Sequence, residues 1–293
     1  MDIFIQQVVS GLATGGIYAS LALALVMIYQ ATEVVNFAQG AMAMFSTYLC
    51  WSLLQLGLSY WVAFLATLVI AFVGGLLIER IVLRPVEDAP ILTIVIVTLG
   101  LVFILTSVAG WIYSWIQKPF PSPFPNKPLK VGNIIFGAHD LGAIGVTLVV
   151  LLLLFLFFRY TTLGLAMRAA AQNPTSSRLC GIRVGWMLAL GWGLASAFGA
   201  VAGIMVAPVV FLDPNMMVGI NLYAFAAATV GGFTSPLGAV VGGFLVGVTE
   251  NLVGTYVSFI GTELKLTVAL AMIIIVLLVK PSGLFGRSTV RRV

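Results

Sequence analysis

Apolar runs long enough to cross a bilayer follow one another almost without pause along this chain. They fall at roughly 6–29, 38–56, 59–83, 90–116, 141–159, 184–208, 219–233, 236–260 and 262–280, the seventh being short and interrupted by polar and small residues. A helix needs about 20 apolar residues to span the hydrocarbon core. A membrane β-barrel would instead alternate polar and apolar residues in short segments. Of the 293 residues, 61% are hydrophobic and 8% charged, against roughly 25% charged in soluble domains. Surface-to-volume scaling leaves a soluble protein of this size no way to hide that much apolar surface. The expected fold is an all-α polytopic membrane protein, one transmembrane domain over 1–293 with eight or nine spans.

The placement of basic residues predicts an orientation. Arg80 and Arg84 follow the third run, Arg159, Arg168, Arg178 and Arg183 the fifth, and Lys280, Arg287, Arg291 and Arg292 the last. All ten fall on one side of the membrane, and Lys118, Lys127, Lys130 and Lys265 on the other. The excess belongs to the cytoplasm, which puts the amino terminus outside and the carboxyl terminus inside. The same placement accounts for the net charge of +5 without invoking a nucleic acid as partner. Asp2 precedes the first run with no basic residue before it, so that run reads as a retained membrane helix and not a cleaved signal. Cys50 and Cys180 fall on opposite sides in this topology, which argues against a disulfide. His139 reads as a loop residue without special role.

Between the fourth and fifth spans, residues 117–140 form a long outer, periplasmic loop whose prolines forbid a continuous helix. It suits a cap or docking surface, or a plain connector. Small residues recur every four positions at Gly191, Ala195, Gly199 and Gly203, and pair at Gly11 and Gly15, Gly238 and Gly242, and Gly243 and Gly247. That spacing lets helix backbones approach closely in lipid. A weak internal repeat matches Tyr18, Gly40 and Pro85 with Tyr223, Gly238 and Pro281, a pattern that often flanks a transport path.

The cytoplasmic stretch 159–186 is too organised for a simple turn. Asn173 suits an N-cap, Pro174 the first helical position and Gly181 the left-handed residue after the end, which predicts a short helix over about 174–180. A helical stretch of small residues precedes it, with Arg168 exposed. Tied to two membrane spans, such an element serves either as a lever for a soluble partner or as an interfacial helix resting on headgroups. Glu250 and Asn251 stand near the middle of the eighth span, where an unpaired carboxylate costs roughly 2.5–3.5 kcal/mol. Glu250 therefore calls for an interior position and a polar partner, lining a path through the bundle, at an interface with another membrane subunit, or as a buried structural link. Asn36 and Gln39 occupy the inner turn between the first two spans, where they would line or gate an exit; capping of the second helix explains Asn36 equally well. Glu79, Arg80 and Arg84 read as orientation and headgroup residues, with contact to a soluble partner as the second reading.

The chain has no G-x-x-x-x-G-K-[ST] loop, no H-E-x-x-H and no G-x-S-x-G, so neither ATP hydrolysis nor membrane proteolysis is expected of it. A secondary transporter or channel coupled to ions remains as an alternative, but such carriers display several intramembrane charges and here Glu250 stands nearly alone.

Five passages resemble the branched-chain amino-acid (LivH-like) permeases of ABC importers: GGIYASLALALVMIYQATEVVNFAQGAM at 15–42, IERIVLRPV at 78–86, RAAAQNPTSSRLCGI at 168–182, AAATVGGFTSPLGAVVGGFLVG at 226–247 and LLVKPSGLFG at 277–286. They come in family order and spacing over nearly the whole chain. The resemblance implies a non-enzymatic permease subunit in a bacterial inner membrane. It would pair with a second permease, two cytoplasmic ATPases that use ATP and Mg, and a periplasmic binding protein, with no cofactor bound by this chain. It also implies that 159–186 is a coupling segment, with Arg168, Ala169, Ala170, Asn173, Arg178 and Gly181 facing the ATPase. Two positions depart from the family pattern: Gln39 stands where relatives often carry histidine, and Glu33 where a small residue is common.

Overall fold

The computed structural model describes residues 2–32, 34–87, 89–125, 129–131, 134–257, 259, 261 and 264–286. The expectations for Glu33, Lys127, Arg287, Arg291 and Arg292 lie outside these residues. Every apolar run becomes a helix. In chain order these are α1 (Asp2–Thr32), α2 (Gln39–Gln55), α3 (Tyr60–Ile78), α4 (Ile91–Tyr113), α5 (Ala138–Tyr160), α6 (Thr162–Gln172), α7 (Pro174–Leu179), α8 (Val184–Val210), α9 (Met217–Gly231), α10 (Pro236–Tyr256) and α11 (Lys265–Val279). After α3 the chain continues through a wide π-helical turn, Glu79–Leu83, and a 3-10 turn, Arg84–Val86. Six helical stretches are long and apolar enough to cross a membrane. α9 and α11, with 15 residues each, and α2, with 17, fall short of the roughly 20 residues of a full span, so length alone supports fewer than the expected eight or nine.

α1 is the centre of the molecule. It is buried over most of its length and packs against α10, α8, α9 and α5. Its closest neighbour is α10, and the glycine pairs explain why. A Cβ on Gly11 would stand 2.7 Å from the Val248 Cα, and one on Gly15 2.9 Å from the Phe244 Cα. From the other side Gly243 meets Ala19, and Gly247 meets Gly15. The two small-residue pairs thus face each other across one crossing. Gly238 and Gly242 do the same against Gly231 and Ala227 of α9. On α8 only part of the expected stripe is used: Gly199 and Gly203 press on Gln39, Ala43 and Thr47 of α2, whereas a Cβ on Gly191 would come no closer than 3.9 Å to a neighbour, the Met167 Cε.

In the windows of α4 and α5, by contrast, only 11% of the residues are buried. Leu92, Ile96, Phe103 and Trp111 on α4 and Leu148, Leu152 and Leu153 on α5 face outward. A protein in water would not leave so continuous an apolar face uncovered.

The long loop runs from Ser114 to Gly137 and contains a small antiparallel hairpin, β1 (Leu129–Val131) with β2 (Ile134–Phe136). The loop is pinned to the α8–α9 connection by reciprocal backbone hydrogen bonds between Lys118 and Leu212, both 2.9 Å. His139 corrects the sequence expectation. It lies in the first turn of α5, not in the loop; its Nδ1 pairs with the Ser122 hydroxyl at 2.9 Å and its Nε2 with the Met205 carbonyl at 2.9 Å. It joins loop, α5 and α8. Cys50 is buried in α2 and Cys180 is exposed at the end of α7, both as free thiols.

Candidate functional site

Between α5 and α8 the chain leaves the bundle as two helices. Thr161 caps α6, its hydroxyl accepting from the Gly164 N–H at 3.0 Å. Asn173 caps α7, its Oδ1 accepting from the Ser176 N–H at 2.9 Å, and Pro174 fills the first helical position. At the other end the Gly181 N–H donates to the Arg178 carbonyl and the Ile182 N–H to the Ser177 carbonyl, both at 3.0 Å. Gly181 has φ +81°. This is the complete Schellman closure, which needs a left-handed residue after the helix. A six-residue helix has little stability of its own, so caps at both ends are what define it.

Along this segment Arg168, Asn173, Arg178 and Gly181 are exposed and Ala169 is half-buried. Ala170 is turned inward, 1% exposed. It joins Met27 of α1, Phe158 of α5 and Leu188 of α8 in lining a small recess at the root of the segment.

Asn36 and Gln39 are both buried at the α1–α2 turn. The Asn36 Oδ1 accepts from the Ala38 N–H at 3.0 Å, and its Nδ2 donates to the Gln39 Oε1 at 3.2 Å. Gln39 in turn donates to the Ala195 carbonyl of α8 at 2.8 Å. The pair therefore shapes the start of α2 and locks it to α8.

Glu250 and Asn251 lie in the last two turns of α10, nearer its end at Tyr256 than the mid-span position expected. Both are buried. The Tyr18 hydroxyl donates to the Glu250 Oε2 at 2.9 Å, and Tyr223 stands against the same carboxylate. The Asn251 Nδ2 donates to the Thr14 Oγ1 at 3.0 Å and to the Gly247 carbonyl at 3.1 Å. The expected polar partner of Glu250 is thus a tyrosine of α1. Sequence reading marked Tyr18 only as a repeat position, because helix partners are set by tertiary packing.

These residues form two groups. Asn36 and Arg178 share a cavity of ≈ 220 Å³ at the root of α7, together with Glu79, Arg84 and Thr98. Glu250 and Asn251 stand elsewhere, on the α1–α10 seam. Glu79 corrects its headgroup assignment. It is 2% exposed, because the π-turn and the close contact of Gly75 with Trp192 and Ser196 hold this end of α3 against α8. Its neighbour Arg80 is only partly exposed: its Nε and Nη2 are buried, and its guanidinium lies 4.0 Å over the Trp186 ring, a cation–π placement.

Comparison with known proteins agrees with the resemblance. Residues 7–277 match the family described as branched-chain amino acid transport system / permease component. The high-affinity branched-chain amino acid transport system permease protein LivH of Escherichia coli strain K12 is 32% identical over 305 residues, covering 99% of this chain and 98% of that protein. LivH of Salmonella typhimurium is 31% identical over 304 residues, with the same coverage. The corresponding permease protein BraD of Pseudomonas aeruginosa is 30% identical over 310 residues, again 99% and 98%. A solved structure, PsaBC from Streptococcus pneumoniae in complex with Fab, covers 93% of this chain and 91% of that chain, with a TM-score of 0.49 and 17% identity. On the matched residues and full-length relatives, the chain belongs to the branched-chain amino acid transport system permease-component family, and is a multi-pass inner-membrane permease subunit of an ABC importer.

Proposed function

We propose that this chain forms one half of the membrane gate of an importer for branched-chain amino acids, and that α6 and α7 receive the power stroke. In this reading the chain is one continuous multi-span membrane domain, amino terminus outside and carboxyl terminus in the cytoplasm. A second related permease completes the path, two cytoplasmic ATPases dock on the α6–α7 side, and a periplasmic binding protein delivers cargo on the side of the 114–137 loop. The chain itself performs no chemistry and binds no cofactor.

The observation that carries the reading is the doubly capped α6–α7 unit hung between α5 and α8. Beside it Arg80, Arg84, Arg178 and Arg183 line one surface hollow, the sign expected for a cytoplasmic face. Arg168, Ala169, Asn173, Arg178 and Gly181 supply the ATPase contact, with Ala170 anchoring the unit from beneath. Asn36 and Gln39 border the inner end of the path. Glu250 and Asn251 hold its outer half in register.

The test is uptake of radiolabelled leucine into proteoliposomes holding this permease, its partner permease, both ATPases and the binding protein. Uptake should require internal ATP and every component. Uptake by this chain alone, driven by a proton or sodium gradient, would replace this reading with that of an ion-coupled carrier.

A further inference from the structure

Buried polar side chains in the bundle are mostly bonded: Asn36, Gln39, Glu250 and Asn251 each have partners within 3.2 Å. Glu79 is different. Its Oε2 is buried and accepts no hydrogen bond. The nearest cation, the Arg80 Nε, stands 3.8 Å away. That nitrogen and the Arg80 Nη2 are themselves buried without hydrogen-bond partners, the guanidinium being laid on Trp186. A carboxylate left short of donors at the end of a membrane span is costly and asks for a reason. It also sits at the start of a π-turn, a distortion frequent at functional sites.

The reason lies in what Glu79 faces. It lines the ≈ 220 Å³ cavity, with Arg84 of the 3-10 turn and Arg178 of α7 also contributing to its wall. Leu83, Ile94, Leu188 and Trp192 supply an apolar side. The volume is below the roughly 300–1,000 Å³ of pockets for drug-sized ligands, and suits a single amino acid. With Glu87 the wall carries two carboxylates and two guanidinium groups, so a simple anion and a simple cation would each meet like charge. A molecule carrying an ammonium and a carboxylate on one carbon satisfies both, and an aliphatic side chain can lie on the apolar wall.

We propose that this cavity is a cytoplasm-facing binding site for a free apolar amino acid, its ammonium held by Glu79 and its carboxylate by Arg84 and Arg178. The proposal rests on the import reading above and adds to it a site on the far side of the gate, between the membrane domain and the coupling helix. A phosphatidylethanolamine headgroup carries the same pair of charges, so the test must separate the two.

The purified importer complex in detergent, without binding protein or nucleotide, is titrated with radiolabelled L-leucine. Saturable binding is expected, weakened at least tenfold by Glu79→Gln and by Arg178→Gln and unchanged by Cys180→Ser. Leucinol, which lacks the carboxylate, and 4-methylpentanoate, which lacks the ammonium, should not compete. Arg84→Gln, on the same wall but outside the ATPase contact, should weaken binding likewise and keeps the test readable if Glu79→Gln fails to fold or Arg178→Gln loses the ATPases. Three results overturn the proposal: no saturable binding, wild-type binding in the Arg178 variant, or competition by either analogue as strong as by leucine. Phosphatidylethanolamine that copurifies with the wild type and is lost in Glu79→Gln, with no leucine bound, assigns the cavity to lipid and overturns it as well. Failure of the import reading is recognised separately, as absence of ATP-dependent uptake by the wild type; failure of this proposal leaves that uptake intact.

Discussion

The ring of Tyr18 on α1 lies flat on that of Tyr223 on α9, with centroids 4.8 Å apart and planes 8° from parallel. These are the two tyrosines that the sequence matches across its halves. This one of the repeated pairs therefore meets, face to face, and both rings stand against one carboxylate supplied by a third helix, Glu250 of α10. An aromatic stack tolerates burial in a bundle, and its hydroxyls provide the donors that the carboxylate needs. The cluster joins α1, α9 and α10 at one point, so its members should respond to mutation together.

Tyr18→Phe keeps the stack and the volume but removes the donor to the Glu250 Oε2. Side-chain hydrogen bonds in membrane proteins average about 0.6 kcal/mol and reach about 1.7, and a stranded acceptor adds to the cost. A loss of about 1–2 kcal/mol is expected, read as a lower unfolding temperature of the purified complex. Glu250→Gln keeps an oxygen that can accept from Tyr18, so its loss should be smaller. Unchanged uptake and assembly in Glu250→Gln would remove Glu250 from the translocation path and leave it a structural link.

The α1–α10 crossing predicts a contrast between glycines. Gly15→Leu or Gly243→Leu must push backbone against backbone, where overpacking costs about 1–3 kcal/mol or more. Either should sharply reduce the yield of folded, monodisperse protein. Gly191→Ala meets nothing closer than 3.9 Å and gains helix propensity of about 0.5–1 kcal/mol. Its yield and uptake should match or exceed the wild type, as size-exclusion chromatography and transport assays would register.

Gln39 joins two helices through one side chain. Gln39→Ala would remove its bond to the Ala195 carbonyl and its support of Asn36, and leave a void against Gly199. A destabilisation of about 2–3 kcal/mol is expected, from a truncated buried side chain and a lost hydrogen bond. Gln39→His, which keeps a side-chain N–H able to reach the Ala195 carbonyl, should recover part of it. Thermal unfolding of both variants checks the order.

What was legible in the sequence was what depends on near neighbours. Asn173, Pro174 and Gly181 declare the ends of α7 because capping is a matter of a few backbone atoms. Gly11, Gly15, Gly243 and Gly247 declared close packing, but only the fold shows that these two pairs pack on each other. Glu79 was misread for the same reason: a charge at the end of an apolar run looks free to reach the headgroups, and its burial is decided by α8, more than a hundred residues away. His139 was similarly opaque, because Ser122 and the Met205 carbonyl reach it from separate parts of the chain.

Ala169 and Ala170 are adjacent, but they should fail in different ways when charged. Ala170 is 1% exposed at the root of the α6–α7 unit, so Ala170→Glu buries a carboxylate without a partner. Loss of folded protein is expected, and with it loss of everything measured downstream. Ala169 is half-buried on the flank of α6, where a glutamate can turn outward. Ala169→Glu should accumulate normally and bind the ATPases, yet stimulate ATP hydrolysis with little leucine uptake. A ratio of leucine imported to ATP hydrolysed at least tenfold below wild type is the expected signature. A wild-type ratio with normal docking would remove α6 from the coupling surface and leave α7 to carry the contact alone.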